Sequence, residues 1–265
     1  MTCKLSRCLN AATLLIWGGT MTYFFFSGRV ASYLHPAFHP GTLLSGLVLI
    51  ALAGGVFFLP DSDSCCREKR PVGGLVLTFL ILTIPLIFAT GISPGGFGAS
   101  AVLNRGLVEN ISGLPAYSPP MEPPLPQADG SVGEGTMMDP SAYLAKNKNG
   151  QIKVETVDLL YAAAEPTMRE DFENKAVEIT GQFLPARTGN PNGDRFNLVR
   201  MFVMCCAADA RPVAVTVQGK QAFPEMTWLK VTGLVTFPVE AGKRSALILA
   251  DTIEPTEPPP ESFIY

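Results

Sequence analysis

The chain is poor in charge and in histidine, and both shortages limit what it can do. Charged residues make up 16% of its 265 residues, and the formal net charge is −3. A nucleic-acid-binding surface needs clustered Lys and Arg to displace counterions from phosphates, so we expect no nucleic-acid partner. The two histidines are His35 and His39. The rest of the chain therefore has no imidazole for general-base catalysis.

The sequence also lacks the motifs of two common enzyme classes. It contains no phosphate-binding P-loop and no H-E-x-x-H zinc-protease helix. The H-x-x-x-H spacing of His35 and His39 would place both rings on one face of a helix for a metal. Pro36 and Pro40 disfavour such a helix. We therefore expect a protein that is not an enzyme and that carries no cofactor.

Three long uncharged stretches occupy the first third of the chain. They are residues 9–26, 41–59 and 72–92, and each is close to the roughly 20 apolar residues that cross a bilayer. The basic residues before the first stretch also fit a signal peptide, but the FFF run at its end is not a small-residue cleavage site. The pattern predicts a membrane domain of three transmembrane helices within residues 1–95.

Lysine and arginine in the short loops predict how these helices are oriented. The N-terminus carries Lys4 and Arg7, and residues 67–70 between the second and third stretches carry three more basic residues. The loop between the first and second stretches has only Arg29. We therefore expect a multi-pass protein of the cell (inner) membrane, with a cytoplasmic N-terminus and an extracytoplasmic C-terminal domain. Four cysteines would then be free thiols facing the reducing cytoplasm: Cys3, Cys8, Cys65 and Cys66.

The predicted spans contain no ionisable residue, whereas a transport pathway usually keeps some facing the bundle interior. The helices are therefore expected either to anchor the chain or to dock onto a partner membrane protein, and not to form a pore alone. Several small residues would allow close helix packing: Gly18, Gly19, Ser45, Ala51, Gly54 and Gly55.

A composition change separates the membrane domain from the rest of the chain. Residues 96–150 are rich in Pro and Gly, and we predict a linker whose centre, residues 118–138, is an extended tether. Regular patterning returns in the C-terminal domain, residues 151–265. This domain is predicted to begin with a short helix over residues 157–164 that Thr156 caps.

Five segments of the C-terminal domain have patterns typical of β-strands. Four of them align apolar residues with a period of two, and residues 196–204 are apolar on both faces apart from Asn197 and Arg200. The segments are residues 176–184, 196–204, 212–218, 227–237 and 245–253. Gly181 is expected to form a β-bulge, and Leu247, Leu249 and Ile253 are expected to share one face. The predicted fold class is a membrane-anchored α region followed by an all-β domain, a partly closed five-stranded barrel of OB type. A small sandwich is the alternative.

Two adjacent cysteines, Cys205 and Cys206, end the second predicted strand in the stretch NLVRMFVMCCAADARP. If the strand runs through Cys206, the two side chains point to opposite faces. In the structural interpretation both are small buried residues, and Asp209 caps the turn by accepting backbone N–H bonds.

Three functional interpretations of these cysteines stay open beside the structural one. The pair could form a vicinal disulfide, which would be strained and readily reduced. The thiolates could bind a soft metal or a thiophilic oxyanion together with Asp209, although Cys-Cys lacks the two-residue spacer of zinc knuckles. The turn could also be an exposed loop that contacts a partner protein.

Arg200 is a charged residue within the same predicted strand. A partly buried arginine usually needs a carboxylate partner, so we expect an ion pair with Asp209 or Asp194. Anion recognition is the functional alternative.

Three stretches of the C-terminal domain together resemble a known family: FNLVRMFVMCCAADARPVAV, TWLKVTGLV and the tail EPPPESFIY. Two stretches of the membrane domain add to the likeness, YLHPAFHPGTLLSGLVLIALA and IPLIFATGISPGGFGASAVLNRGL. The sequence is similar to the YcgQ-like family of bacterial two-component permease subunits. This resemblance covers most of the chain except the Pro-rich tether.

The resemblance implies a membrane protein that acts with a separate, larger multi-span permease. Five positions match the family pattern, with no catalytic role to transfer: Arg200, Cys205, Cys206, Asp209 and Trp228. Our leading hypothesis is a non-catalytic accessory subunit of a membrane permease complex. The alternative is an extracytoplasmic thiol or metal sensor that uses Cys205 and Cys206. A third hypothesis is an OB-type oligonucleotide or oligosaccharide binder, for which Trp228 is the only tryptophan of the C-terminal domain.

Overall fold

The computed structural model of the chain describes residues 2–58, 71–92, 97–114, 144–190, 192–240 and 242–265. These residues belong to two compact units. The helical unit comprises Met1–Gly96 and Met204–Asp209, and the barrel unit comprises Phe97–Val203 and Ala210–Tyr265. The predicted tether at residues 118–138, the basic loop at residues 67–70, and Cys65 and Cys66 lie outside the described residues.

The helical unit contains three long helices, α1 (Thr2–Phe26), α2 (His39–Phe58) and α3 (Val72–Ile92). Two segments, Pro36–Phe58 and Val72–Gly91, are long and apolar enough to cross a membrane, with mean hydropathies of 2.1 and 2.5. The first predicted span forms part of α1, and its crossing of a membrane stays a prediction.

Helices α1 and α2 approach each other at two glycines. A Cβ atom added to Gly18 would lie 2.7 Å from the carbonyl oxygen of Gly46, and one added to Gly46 would lie 2.8 Å from the Oγ1 atom of Thr22. Gly18 therefore packs as the sequence predicts, whereas Gly19 and Gly54 have no atoms within 4 Å of an added Cβ. Close helix approach at small residues is typical of membrane helices.

Arginine side chains bind the carbonyl groups at the ends of α2 and α3. Arg7 Nη2 donates to the carbonyl oxygen of Phe57 at 2.6 Å, and Arg29 Nη1 donates to that of Thr90 at 2.6 Å. The last carbonyl groups of a helix have no partner within the helix. These two arginines therefore satisfy groups that would otherwise be unpaired.

The barrel unit is built on five longer strands, each of which begins and ends within two residues of its predicted limits. They are β2 (Ala176–Pro185), β3 (Arg195–Phe202), β4 (Arg211–Gln218), β5 (Trp228–Thr236) and β8 (Leu247–Pro255). Four shorter strands were not predicted: β1 (Ile152–Val154), β6 (Val239–Glu240), β7 (Lys243–Arg244) and β9 (Phe263–Ile264).

The five longer strands form a closed barrel. The order along the sheet is β2-β5-β8-β4-β3, and an additional pairing of β2 with β3 closes it. Strands β4 and β8 pair in parallel, while the other neighbours in the barrel are antiparallel. The predicted barrel of five strands is therefore confirmed, but it is closed and not partly closed as predicted from the sequence.

The predicted bulge at Gly181 is wrong, because β2 pairs continuously with β5 through Gly181. The irregularity lies in β8, where Asp251 is the extra residue opposite Thr232/Gly233 of β5. A shift of one residue moves side chains to the other face of a sheet. Leu247 and Leu249 share a face as predicted, and Leu249 is 38% exposed. Ile253 instead packs against the core with Ile248, so its predicted alignment with the two leucines is wrong.

Strand β3 is apolar on both faces because each face is covered. Phe196, Leu198 and Phe202 point into the barrel core. Val199 and Met201 belong to a second apolar cluster.

The second cluster also contains a segment that the sequence assigns to the linker. Helix α4 (Ala99–Arg105) contributes Val102, which is fully buried. The backbone of Val108 pairs with β4, donating to the carbonyl oxygen of Pro212 at 2.8 Å and accepting from Ala214 N–H at 2.9 Å. The described residues 97–114 are therefore part of the barrel unit.

Helices α5 (Thr156–Ala164) and α6 (Pro166–Phe172) precede the barrel strands. The predicted cap at Thr156 is wrong, because Thr156 is the first residue of α5 and is fully buried. Glu155 is the cap residue, and its backbone N–H donates to Asp158 Oδ2 at 2.8 Å. Glu155 is thereby held at the start of the helix.

Candidate functional site

The two cysteines lie in a turn and not on a strand. Strand β3 ends at Phe202, two residues before the predicted end. Residues Met204–Asp209, which we call the cysteine turn, belong to the helical unit. Cys205 is exposed and Cys206 is half-buried, and both are free thiols. The expectation that both are buried strand residues is therefore wrong.

Asp209 holds the cysteine turn in shape. Its Oδ1 atom accepts from Met204 N–H at 3.1 Å, and its Oδ2 atom accepts from the N–H groups of Cys205 and Cys206 at 2.8 and 3.4 Å. Burial alone would raise the pKa of Asp209, but hydrogen bonds from the Cys205 thiol and from these three backbone groups lower it. A carboxylate with several N–H donors is the usual device for fixing a tight turn.

The two thiols are neighbours with opposite acid–base character. The Sγ atoms lie 3.6 Å apart, and the single thiol hydrogen of Cys205 is shared between Cys206 Sγ and the Asp209 carboxylate. Hydrogen bonding to Asp209 raises the pKa of Cys205 to about 12. The backbone N–H of Ala208 and the Cys205 thiol lower the pKa of Cys206. Because the thiolate is the nucleophile and metal ligand, Cys206 is the more reactive of the pair.

Three potential metal ligands converge in the cysteine turn. One ligand atom each from Cys205, Cys206 and Asp209 lies within 4.8 Å of the other two. The sequence predicted this set because all three residues fall within five positions of each other.

The loop between α1 and α2 pairs with the cysteine turn inside the helical unit. Leu34 and Cys206 form an antiparallel β-bridge. The backbone N–H of His35 donates to the carbonyl oxygen of Cys205 at 3.0 Å, and that of Ala207 donates to Tyr33 at 2.7 Å. No sequence pattern links residues so far apart along the chain, so this pairing was not predicted.

The two histidines do not share a helical face as an H-x-x-x-H metal motif requires. His35 precedes a short 3-10 helix, Pro36–Phe38, and its Nδ1 atom accepts from the N–H of Ala37 at 3.1 Å. His39 is the first residue of α2, and its Nε2 atom lies 2.9 Å from the carbonyl oxygen of Leu34.

Arg200 and Trp228 form a second group, in the barrel unit. The Arg200 side chain is 3% exposed, and its Nη1 atom lies 3.4 Å from Glu155 Oε2. Its Nη2 atom donates to the carbonyl oxygen of Glu261 at 2.8 Å, and its guanidinium lies 5.3 Å from the centre of the Trp228 ring.

The predicted carboxylate partners of Arg200 are therefore wrong. Asp194 accepts from Gln218 Nε2 at 3.1 Å, and Asp209 fixes the cysteine turn. Helix α5 contacts β3 and brings Glu155 to the guanidinium instead. Burial lowers the pKa of Arg200 and raises that of Glu155.

The Arg200 group is suited to holding the C-terminal tail and not to capturing a free anion. Strand β9 pairs in parallel with β3, and the arginine binds the carbonyl oxygen of Glu261 just before it. The Nε atom is buried and has no hydrogen-bond partner among the described residues. A guanidinium so enclosed offers no open face to a solute.

A small polar cleft of about 110 Å³ lies elsewhere in the barrel unit, lined by side chains that include Glu109, Asn197 and Thr216. Arg195 and Glu240, which also line it, form an ion pair at 3.0 Å. None of the five predicted site residues lines this cleft. Its lining comes from several separate segments, which is why local sequence patterns did not reveal it.

Comparison with known proteins finds a similarity in the C-terminal part of the chain. Residues 136–265 match the family model of the DUF1980 C-terminal domain. This range contains all five barrel strands and both groups of predicted site residues. A comparison with curated proteins finds no match. Residues 136–265 are therefore similar to DUF1980 C-terminal domains, an uncharacterised family.

Proposed function

We propose that this protein is a non-catalytic accessory subunit of a membrane permease complex, as the YcgQ-like resemblance implies. The apolar exterior of the helical unit carries the proposal. Leu44 on α2 and Ile87 on α3 are 64% and 63% exposed, and Phe58 at the end of α2 is 83% exposed. Such surfaces are not stable in water and require lipid or partner helices around them.

The helical unit supports an accessory role better than a transport role. Helices α1 and α2 meet at Gly18 and Gly46 so closely that an added Cβ would collide with the facing helix. The three apolar stretches also contain no ionisable residue to line a polar path. A translocation path would therefore have to come from another protein.

We infer that α1 is a third membrane span. It has 25 residues, which corresponds to about 37 Å of helix and exceeds the roughly 30 Å hydrocarbon core. It also runs along α2, contacting it near Phe57 through Arg7 and near Gly46 through Gly18. The basic residues of the first turns favour a cytoplasmic N-terminus and an extracytoplasmic barrel.

We also infer that the barrel is of the OB type. In that topology the third strand pairs in parallel with the fifth, and the first strand pairs with the fourth. Here β4 pairs in parallel with β8, and β2 pairs with β5, which supports the assignment. OB barrels commonly bind ligands or partner chains at one face. We expect no nucleic-acid partner, because the chain is acidic.

Co-purification from native membranes tests the accessory role. The full chain would carry a C-terminal affinity tag and be extracted in a mild detergent. We expect a multi-span membrane protein to be recovered in near-equal amount. A matched variant, Ile87→Lys, places a charge on the exposed face of α3 and should abolish recovery of the partner. Isolation of the tagged chain alone, intact and folded, would contradict the proposal.

A second candidate function is an extracytoplasmic thiol or metal sensor. The convergence of Cys205, Cys206 and Asp209 within 4.8 Å favours it. Intact-mass measurement of the purified chain, with and without reductant, distinguishes a disulfide-forming sensor from a metal-binding one. A loss of two hydrogens that reductant reverses, and that Cys205→Ser prevents, would support a vicinal disulfide. Unmodified thiols without bound metal under all conditions would exclude the sensor.

A further inference from the structure

We propose that the cysteine turn is a zinc site, in which Cys205, Cys206 and Asp209 supply three ligands and the fourth position stays open to solvent. The inference makes the second candidate function specific, and it does not depend on a permease partner. It rests on the spacing of the ligand atoms, on the way the turn is held, and on its charge.

The spacing of the sulfur atoms suits tetrahedral zinc. Two thiolates bound to Zn²⁺ at about 2.3 Å in a tetrahedron lie about 3.8 Å apart. The Sγ atoms of Cys205 and Cys206 are 3.6 Å apart, so both can bind one ion with little movement. The Asp209 carboxylate lies within 4.8 Å of both sulfur atoms and needs only a small shift to join them.

The turn is held in this arrangement before any ion binds. Three backbone N–H groups donate to the Asp209 carboxylate, which orients it toward the thiols. Hydrogen bonds from His35 N–H to the Cys205 carbonyl and from Ala207 N–H to the Tyr33 carbonyl fix the opposite side of the turn. Outer hydrogen bonds of this kind orient metal ligands and raise metal affinity.

The charge of the ligand set also favours a divalent cation. Two thiolates and a carboxylate carry three negative charges when ionised. No described Lys or Arg forms an ion pair with Asp209. A bound Zn²⁺ would supply the missing positive charge.

The mixed sulfur and oxygen ligands favour zinc over copper(I). Copper(I) prefers soft ligands alone, and a linear two-thiolate complex would hold its sulfur atoms about 4.6 Å apart, given metal–sulfur bonds of about 2.3 Å. The observed distance of 3.6 Å is too short for that geometry. A carboxylate is an ordinary zinc ligand.

Binding requires no oxidant or reductant. Two S–H bonds break and two Zn–S bonds form, and the two protons pass to solvent. The two thiolates and the carboxylate displace all but one of the waters of the hydrated ion, and that water keeps the fourth position. An open position of this kind distinguishes the site from a closed structural zinc site.

Zinc titration of the full chain in detergent tests the proposal. A background variant would carry serine at Cys3, Cys8, Cys65 and Cys66, so that only Cys205 and Cys206 remain. After metal removal and reduction, it would be titrated with Zn²⁺ against a coloured chelator. We expect one ion per chain, and an affinity loss of about 100-fold or more for Cys205→Ser and for Cys206→Ser.

Cobalt substitution provides an independent readout of the same site. Co²⁺ in the background variant should show thiolate-to-metal charge-transfer absorption and the visible bands of tetrahedral cobalt. Asp209→Asn should weaken binding by about tenfold or more while leaving charge transfer from two thiolates. Circular dichroism would confirm that each variant is folded.

The proposal is overturned if the folded background variant binds no zinc, or if zinc affinity is the same after Cys205→Ser and Cys206→Ser. Co-purification of a multi-span partner by that same variant would then show that only the zinc site has failed. Stoichiometric zinc without a partner would instead count against the accessory role alone.

Discussion

The thiols of Cys205 and Cys206 differ in acidity because they make different hydrogen bonds with Asp209 and the backbone. Its carboxylate accepts the thiol hydrogen of Cys205, which raises the pKa of that thiol to about 12. Cys206 instead receives hydrogen bonds, first from the N–H of Ala208, and its pKa is lowered. A pair of adjacent thiols is thereby divided into one that holds its proton and one that gives it up readily.

Alkylation should therefore modify Cys206 before Cys205. In the background variant that keeps only Cys205 and Cys206, we expect chains singly labelled by iodoacetamide at neutral pH to carry the label at Cys206, because only thiolates react. The rate of Cys206 alkylation should rise with pH. It should reach its plateau at a lower pH than the rate of an ordinary thiol does, because the pKa of Cys206 is lowered. Peptide mapping by mass spectrometry measures the order.

Asp209→Asn provides the matched control for this order. Removal of the carboxylate removes the main cause of the raised pKa of Cys205, so Cys205 should react faster in the variant. First labelling of Cys205 in the unaltered chain would show that the assigned hydrogen bonds are wrong.

Arg200 should stabilise the barrel more than an exposed ion pair does. Arg200→Ala removes contacts with Glu155, the Glu261 carbonyl and Trp228 from a buried site. We expect a loss of about 3 kcal/mol in the free energy of unfolding. Chemical denaturation followed by Trp228 fluorescence measures it.

Lys230→Ala is the control for Arg200→Ala. Lys230 pairs with Glu254 at 3.6 Å, and both side chains are largely exposed. Such pairs contribute about 0–1 kcal/mol, so this variant should unfold close to the unaltered chain. Equal losses for the two variants would contradict a stabilising role of Arg200.

Among the strands and helices, the longer strands were predicted because their apolar residues follow a recognisable pattern along the sequence. All five barrel strands are at least eight residues long. Four were predicted from alternation, and β3 was predicted as a run that is apolar on both faces. Strands β1, β6, β7 and β9 have two or three residues, and such short segments show no measurable alternation. Composition placed residues 97–114 in a linker, but their packing on the barrel depends on tertiary contacts that composition does not reveal.

The candidate site was also predicted only in part: residues close in sequence were grouped correctly, and partners distant in sequence were missed. Cys205, Cys206 and Asp209 were predicted together because one turn contains them. Glu155 was missed as the partner of Arg200, because helix α5 brings it there from 45 positions away in sequence. The pairing of the turn with Tyr33 and His35 was missed for the same reason.

Gly233 should be intolerant of any side chain. A Cβ at this position would lie 2.2 Å from the carbonyl oxygen of Leu249, which is backbone of the paired strand and cannot move aside. We expect Gly233→Ala to lower the free energy of unfolding by about 2–3 kcal/mol. Thermal or chemical unfolding of the full chain measures the change.

Gly219→Ala is the matched control for Gly233→Ala. A Cβ there would first meet Cδ1 of Ile253 at 2.7 Å, which is the end of a flexible side chain and can rotate away. Gly219→Ala should therefore lower the free energy of unfolding much less than Gly233→Ala does. A similar loss for both would show that the close strand approach at Gly233 is not the constraint.

In the whole molecule, an apolar helical unit is joined in one chain to a unit built on a β-barrel. The charge distribution predicts that the barrel lies outside the membrane, and the DUF1980 match covers that barrel. The exposed faces of α2 and α3 need neighbours that the described chain does not provide. We propose that one of these neighbours is a permease.

Site-specific photo-cross-linking in native membranes tests that claim most directly. A photoreactive amino acid would be placed at Leu52 or Ile87, which are 54% and 63% exposed, or at Thr83, which is 2% exposed. We expect the photoreactive amino acid at Leu52 or Ile87 to form adducts with one multi-span membrane protein. At Thr83 it should form adducts only within the chain. Lipid adducts alone from exposed positions all along α2 and α3 would contradict it.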